Sequence, residues 1–239
     1  MCDAAFWQPW LDLSPGQVVD YGDANSITTM AEVVLAAAPS RFALAGHSMG
    51  GRVALEVARL APERLKKLIL MDTGYLPRLD GAAGDAEKQS RLALVDIANQ
   101  QGVRAMAQVW LKGMVHPDRL DDTPLTDAIL TMMARKTAER FARQQQALLT
   151  RPDASGVLAG LQIPTLLLCG RQDSWANVAQ HMAMQALASP SSHSSPSSHS
   201  PHSPHVQLCV IEEAGHMVLM ERPQETVHAM HQFLEHPQG

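Results

Sequence analysis

The chain has 239 residues, 46% of them hydrophobic, enough for one large domain with a sizeable core. Its formal net charge is -5 and its pI about 6.1, with no basic cluster beyond short pieces such as "ERLKK", so nothing points to nucleic acid or an anionic membrane surface. No apolar run approaches membrane-spanning length, and no basic start leads into an apolar signal segment. Cys2, Cys169 and Cys209 share no CxxC spacing. The expectation is a cytoplasmic protein with reduced thiols, no metal site and a small-molecule substrate.

In chain order, β-type apolar runs alternate with helical runs, the pattern of an α/β domain with a mostly parallel central sheet. "GQVVDY" reads as a short strand. Ser26 then caps a helix with Ile27, Met30, Val33, Val34 and Ala37 at helical spacing, stopped by Pro39. "RFALAG" reads as a strand and "GRVALEVARLAP" as a helix. "LKKLILMD", "IPTLLLCG" and "HVQLCVIEE" read as further strands, and "QETVHAMHQFL", with Pro223 at its start, as a closing helix.

The strand signal disappears over 74-153, where four stretches are helix-compatible and Thr123-Pro124 reads as a cap and first turn. The organisation is therefore a core in two parts, 1-73 and 154-239, interrupted by a helical lid at 74-153. Residues 189-205 are Ser, Pro and His only. They cannot bury an apolar face and read as a disordered loop, not a metal site, although they include His193, His199, His202 and His205.

Within this frame, Gly46-His47-Ser48-Met49-Gly50 fits G-x-S-x-G between a strand and a helix. Such a turn must be sharp. Glycines at both flanks avoid Cβ collisions as strand and helix close, leaving one hydroxyl above the sheet edge. There the N-terminus of the helix favours developing negative charge, with the Met49 N-H as an oxyanion donor. Neither GxGxxG nor GxxxxGK[ST] is present, which disfavours a phosphate loop.

A serine needs a base to remove its proton and a carboxylate to orient that base. His216, directly after the last strand, is the strongest base. His47 belongs to the elbow, His116 to the lid, His181, His228 and His231 to helical stretches, and His236 to the tail. Asp173, just past the preceding strand, is the first choice of carboxylate, and Asp72, ending "LILMD", is its competitor. The order Ser, Asp, His is that of the α/β-hydrolase triad.

The segments "FALAGHSMGGRVALEVARLAPERLKKLILMDTG", "TLLLCGRQDSW" and "VIEEAGHMVLMERPQ" resemble the elbow, acid and histidine segments of the lid-bearing α/β-hydrolase superfamily, which holds carboxylesterases, enol-lactonases, C-C bond hydrolases and cofactor-free haloperoxidase-like enzymes. The resemblance covers most of the chain. It implies an α/β-hydrolase fold with Ser48 as nucleophile, Asp173 as acid and His216 as base, and no cofactor. Substrate choice does not carry over. The superfamily also has an upstream strand and turn supplying a second oxyanion donor, and "MCDAAFW" resembles the segment just after that turn. The expectation is an N-terminally truncated version, in which the "QVVD" and "FALAG" strands lack a central parallel neighbour and Met1 or Cys2 is a poor substitute donor.

The implied activity is cleavage of a small ester, thioester or lactone through an acyl-enzyme. Alternatives are C-C bond hydrolysis or haloperoxidase-like chemistry on the same fold, and a non-catalytic binding protein. Trp7, Trp110 and Trp175 are expected to contact substrate, with Met106, Met114, Met132 and Phe141 as further lid liners.

Overall fold

The computed structural model describes residues 1-188 and 205-235. Four strands, β1 (Phe42–His47), β2 (Leu65–Met71), β3 (Thr165–Gly170) and β4 (Val206–Ile211), form one sheet in the order β1-β2-β3-β4, with every pairing parallel. Every residue of β3 is buried, as expected where helices cover both faces of a parallel sheet.

The period-2 alternation of the strands divides the core in two. Leu68, Leu70, Leu167 and Val206 point to one face, under α2 (Ile27–Ala37), α3 (Met49–Leu60), α8 (Ser155–Ala159) and α9 (Val178–Ala188). Ile69, Met71, Leu166, Leu168 and Ile211 point to the other. That face is covered by α1 (Ala4–Leu11), α10 (Val218–Glu221) and α11 (Pro223–Glu235), together with inserted helices.

The insertion joins β2 to β3 and contains α4 (Gly81–Gln101), α5 (Val103–Leu111), α6 (Thr123–Ala134) and α7 (Ala138–Leu149). The cap of α6 is Asp122 rather than Thr123: its carboxylate accepts from Leu125 N at 3.2 Å, a bond Thr123 cannot make once it is itself the first helical residue. Ser26 caps α2 as expected and forms a capping box with Thr29.

Two segments depart from the sequence expectation. Residues 16-21 form no strand. No described strand pairs with the outer edge of β1, so this segment has no ladder to join. Val19 and Tyr21 instead pack against the core, while Asp20 reaches Arg140 at 2.8 Å and Asp23 pairs with Arg143, tying the segment to α7. The second departure is α1, which the sequence reading did not anticipate. Asp3 caps it, and Phe6 on it is fully buried against the β1 end of the sheet.

The expected Ser/Pro/His loop lies outside the described residues except for His205. The carbonyl of His205 accepts from Thr165 N at 2.7 Å, and its Nε2 lies 3.0 Å from Leu161 O. Among the described residues, no helix is long and apolar enough to cross a membrane, and no group of three or more His, Cys, Asp or Glu could hold a metal ion.

Candidate active site

Ser48 stands between β1 and α3 with φ 56° and ψ -119°. Its N-H continues the sheet ladder to Met71 O at 2.8 Å, and its carbonyl accepts from Thr73 Oγ1 at 2.6 Å. Gly46 is needed as expected, but the second close approach is at Gly51 rather than the expected Gly50, where a Cβ would come no nearer than 3.4 Å, to the Tyr21 hydroxyl. A Cβ on Gly46 would lie 2.2 Å from Gly50 O, and one on Gly51 would lie 2.6 Å from the Thr73 side chain. Met49 opens α3, so its N-H is one of the helix-end donors with no intrahelical acceptor.

Three side chains from three strand ends meet here. His216 Nε2 lies 2.9 Å from Ser48 Oγ, and His216 Nδ1 lies 2.8 Å from Asp173 Oδ2. The carboxylate fixes the proton on Nδ1, leaving Nε2 as acceptor toward the hydroxyl. The other oxygen of Asp173 accepts from Trp175 N at 2.8 Å and Ala176 N at 3.0 Å. Burial alone would raise the Asp173 pKa, but His216 and these N-H donors outweigh it and hold the carboxyl well below the usual range.

Asp72, the competing carboxylate, makes no contact with the His216 ring nitrogens. Its Oδ1 accepts from Gly170 N at 2.9 Å, and its Oδ2 lies 3.7 Å from His47 Nε2. Burial, then the charge of Asp173, pushes its carboxyl well above the ordinary range. The opposite shifts favour the charged form at Asp173, behind the imidazole, over Asp72. His47 donates from Nε2 to the carbonyl of His216 at 2.7 Å, and its ring stacks on Phe6 at 4.2 Å.

Two contributors escaped the sequence reading. Glu221 Oε1 accepts from Gly215 N at 2.9 Å and Met217 N at 3.2 Å, and its Oε2 accepts from His116 N at 2.7 Å. This carboxylate holds both sides of the His216 loop and joins them to the insertion. Its only sequence signal is a glutamate among apolar residues in "HMVLME". The other contributor, Arg52, lies one helical turn beyond Ser48.

The hydroxyl opens into a cavity of about 1060 Å³. Trp7, Trp110 and Trp175 line it, as do Met114 and Met132. Trp175 tilts over His216 at 4.8 Å between ring centroids and stacks on Trp110 at 5.2 Å. Met106 and Phe141 do not line the cavity; both are fully buried, Phe141 edge-on behind Trp110 at 5.6 Å. Met1 and Cys2 also line the cavity, but Met1 N donates to Gln144 Oε1 at 2.7 Å and is engaged with α7.

A family model described as "Alpha/beta hydrolase family" matches residues 7–229. The chain belongs to the α/β hydrolase family. Solved structures of similar fold include a thermophilic esterase from Thermogutta terrifontis, with TM-score 0.78, 23% identity, and coverage of 98% of this chain and 85% of that one. Another is the enol-lactonase from Burkholderia xenovorans LB400, with TM-score 0.79, 18% identity, and coverage of 98% and 88%. Among curated proteins, this hydrolase-family chain is 26% identical over 252 residues to the biotin biosynthesis bifunctional protein BioHC of Cellvibrio japonicus, covering 98% of this chain and 46% of that protein. A pimeloyl-[acyl-carrier protein] methyl ester esterase of Pectobacterium carotovorum is 52% identical over 46 residues, 19% of this chain and 18% of that protein. The chain thus spans less than half the length of these two curated relatives.

Proposed function

We propose that this chain is a serine hydrolase that cleaves a small ester, thioester or lactone through an acyl-enzyme. The observation that carries the reading is the continuous hydrogen-bonded series from Ser48 Oγ through His216 to Asp173 at the wall of a cavity. Esterase names among the relatives and structural neighbours agree with it.

In this reading, His216 Nε2 takes the proton of Ser48 as Oγ attacks the substrate carbonyl carbon. The carbonyl π pair moves to oxygen, and the oxyanion accepts from the Met49 N-H. As the intermediate collapses, His216 passes its proton to the leaving alkoxide or thiolate. Water then attacks the acyl-enzyme with His216 again as base, releasing the acid and restoring Ser48. Asp173 holds the imidazole in one tautomer throughout. The inserted helices act as a lid whose Trp110, together with Trp7 and Trp175, contacts a small-molecule substrate.

The test is the intact mass of the purified chain after exposure to a fluorophosphonate probe. One phosphonyl adduct is expected on the wild-type protein and none on Ser48→Ala. Ester hydrolysis by Ser48→Ala is expected to fall about 10³-fold or more. A folded wild-type chain that gains no adduct contradicts the reading.

A further inference from the structure

The charged groups around the Ser48 cavity are almost all paired internally. Lys136 lies 3.9 Å from both Asp3 and Asp20, Arg140 lies 2.8 Å from Asp20, and Arg91 lies 2.8 Å from Glu87. Arg52 is different. It lines the same cavity, yet among the described residues it pairs with no carboxylate; its Nη1 donates to the carbonyl of Leu76 at 2.8 Å.

The acid of its neighbourhood is already committed. Glu87 accepts from Arg91 at 2.8 Å and from Arg151 at 2.6 and 2.9 Å. Arg91 and Arg151 therefore hold the one carboxylate near Arg52 between them. Burial, followed by the charges of Arg151 and Arg91, draws the Arg52 pKa down to about 9. A half-buried cation beside two others meets a repulsion that a nearby anion relieves.

Position restricts which anion can reach it. Ser48 is the non-helical residue that precedes α3, and Arg52 follows within the start of that helix, with both in the wall of the same cavity. A small molecule with its carbonyl at Ser48 therefore shares its cavity with the guanidinium. The planar fork of arginine suits a carboxylate at that end.

We propose that Arg52 is a specificity-determining residue that receives a substrate carboxylate, making the preferred substrates half-esters of short dicarboxylic acids. The inference rests on the serine hydrolase reading and narrows it. It is tested by comparing kcat/KM for monomethyl glutarate with that for methyl pentanoate, which has similar length and no charge. Wild type is expected to favour the half-ester. Arg52→Gln should reduce the ratio about 10- to 100-fold, the scale of one charge-assisted contact, and Arg52→Lys should restore part of it.

No wild-type preference for the half-ester, or an equal loss on both esters in Arg52→Gln, overturns the inference and assigns Arg52 to anchoring Leu76; neutral ester cleavage would still stand. If the chain cleaves neither ester, titration calorimetry with monomethyl glutarate separates the two ideas. Binding by wild type that is lost in Arg52→Gln supports the carboxylate site without hydrolysis, and no binding by wild type sinks it. Should Arg52→Gln fail to fold, judged by its melting transition, the wild-type ratio and Arg52→Lys still decide.

Discussion

Ser48 holds a backbone conformation that an L-residue adopts only where its surroundings enforce it, with φ at 56°. What enforces it is the ladder bond to Met71 on one side and the Thr73 hydroxyl on the other. The glycine at Gly46 has a separate task. The α3 backbone approaches so closely that a methyl group there would meet Gly50 O, Gly50 C and Gly51 N, none of which can rotate away. Gly46→Ala is therefore expected to cost about 3 kcal/mol of stability in urea unfolding, since the helix itself must shift. A midpoint unchanged from wild type would show that the turn relaxes freely.

Among the elements, α10 does the most for its length. It has four residues, and Glu221 at its end collects three backbone N-H groups from the His216 loop and from residue 116. Burial pushes the Glu221 pKa up, and the three N-H donors together with Arg119 oppose that shift without cancelling it. Arg119 also donates to the Glu221 carbonyl at 2.5 Å, so the helix end is tied to the insertion twice. Glu221 thus positions His216 through its backbone. Glu221→Ala is expected to lower kcat on a neutral ester about 10- to 100-fold with little change in KM, because substrate contacts persist while the imidazole drifts. Glu221→Gln, which keeps an accepting oxygen, should recover part of the loss. A fall in melting temperature with kcat intact would reduce Glu221 to a structural support.

Across the whole molecule, buried ionisable groups behind the site make folding stability depend on pH. Burial, then the neighbouring His216, pulls the His47 pKa down to about 3 from an ordinary 6.5. Between these values the unfolded chain binds a proton that the folded chain does not, so this contribution is lost as pH falls from about 6.5 toward 3. His181, lowered by its own burial, adds in the same sense. Asp72 acts oppositely: the folded chain keeps a proton there that the unfolded chain releases above 3.8, so its contribution is lost as pH rises. Comparing variants separates the two. His47→Gln should flatten the rise of unfolding free energy between pH 4 and 6.5 by up to about 1.4 kcal/mol per pH unit. Identical slopes in variant and wild type would mean that His47 titrates normally when folded.

The sequence by itself determined the features that local chemistry dictates. The strand-elbow-helix around Ser48, the all-buried β3, the cap at Ser26 and the helical character of the insertion each follow from spacing within a few residues. The ordered pair Asp173 and His216 was legible too, because each follows a strand end and parallel strands bring such ends to one edge. Tertiary structure decided the rest. Residues 16-21 have an apolar pattern fit for a strand, yet a strand exists only if another offers its edge, and no local pattern reports that. Asp72 and Asp173 look alike in sequence as carboxylates at strand ends, and they are separated by which of them faces an imidazole nitrogen and which is buried beside the other. Arg52 reads as one more polar residue on an amphipathic helix. Its lack of a carboxylate partner emerges only when residues from α4, the segment after α7 and the loop after β2 converge around it. Charge pairing and burial are properties of the space around a residue, which the folded chain alone supplies.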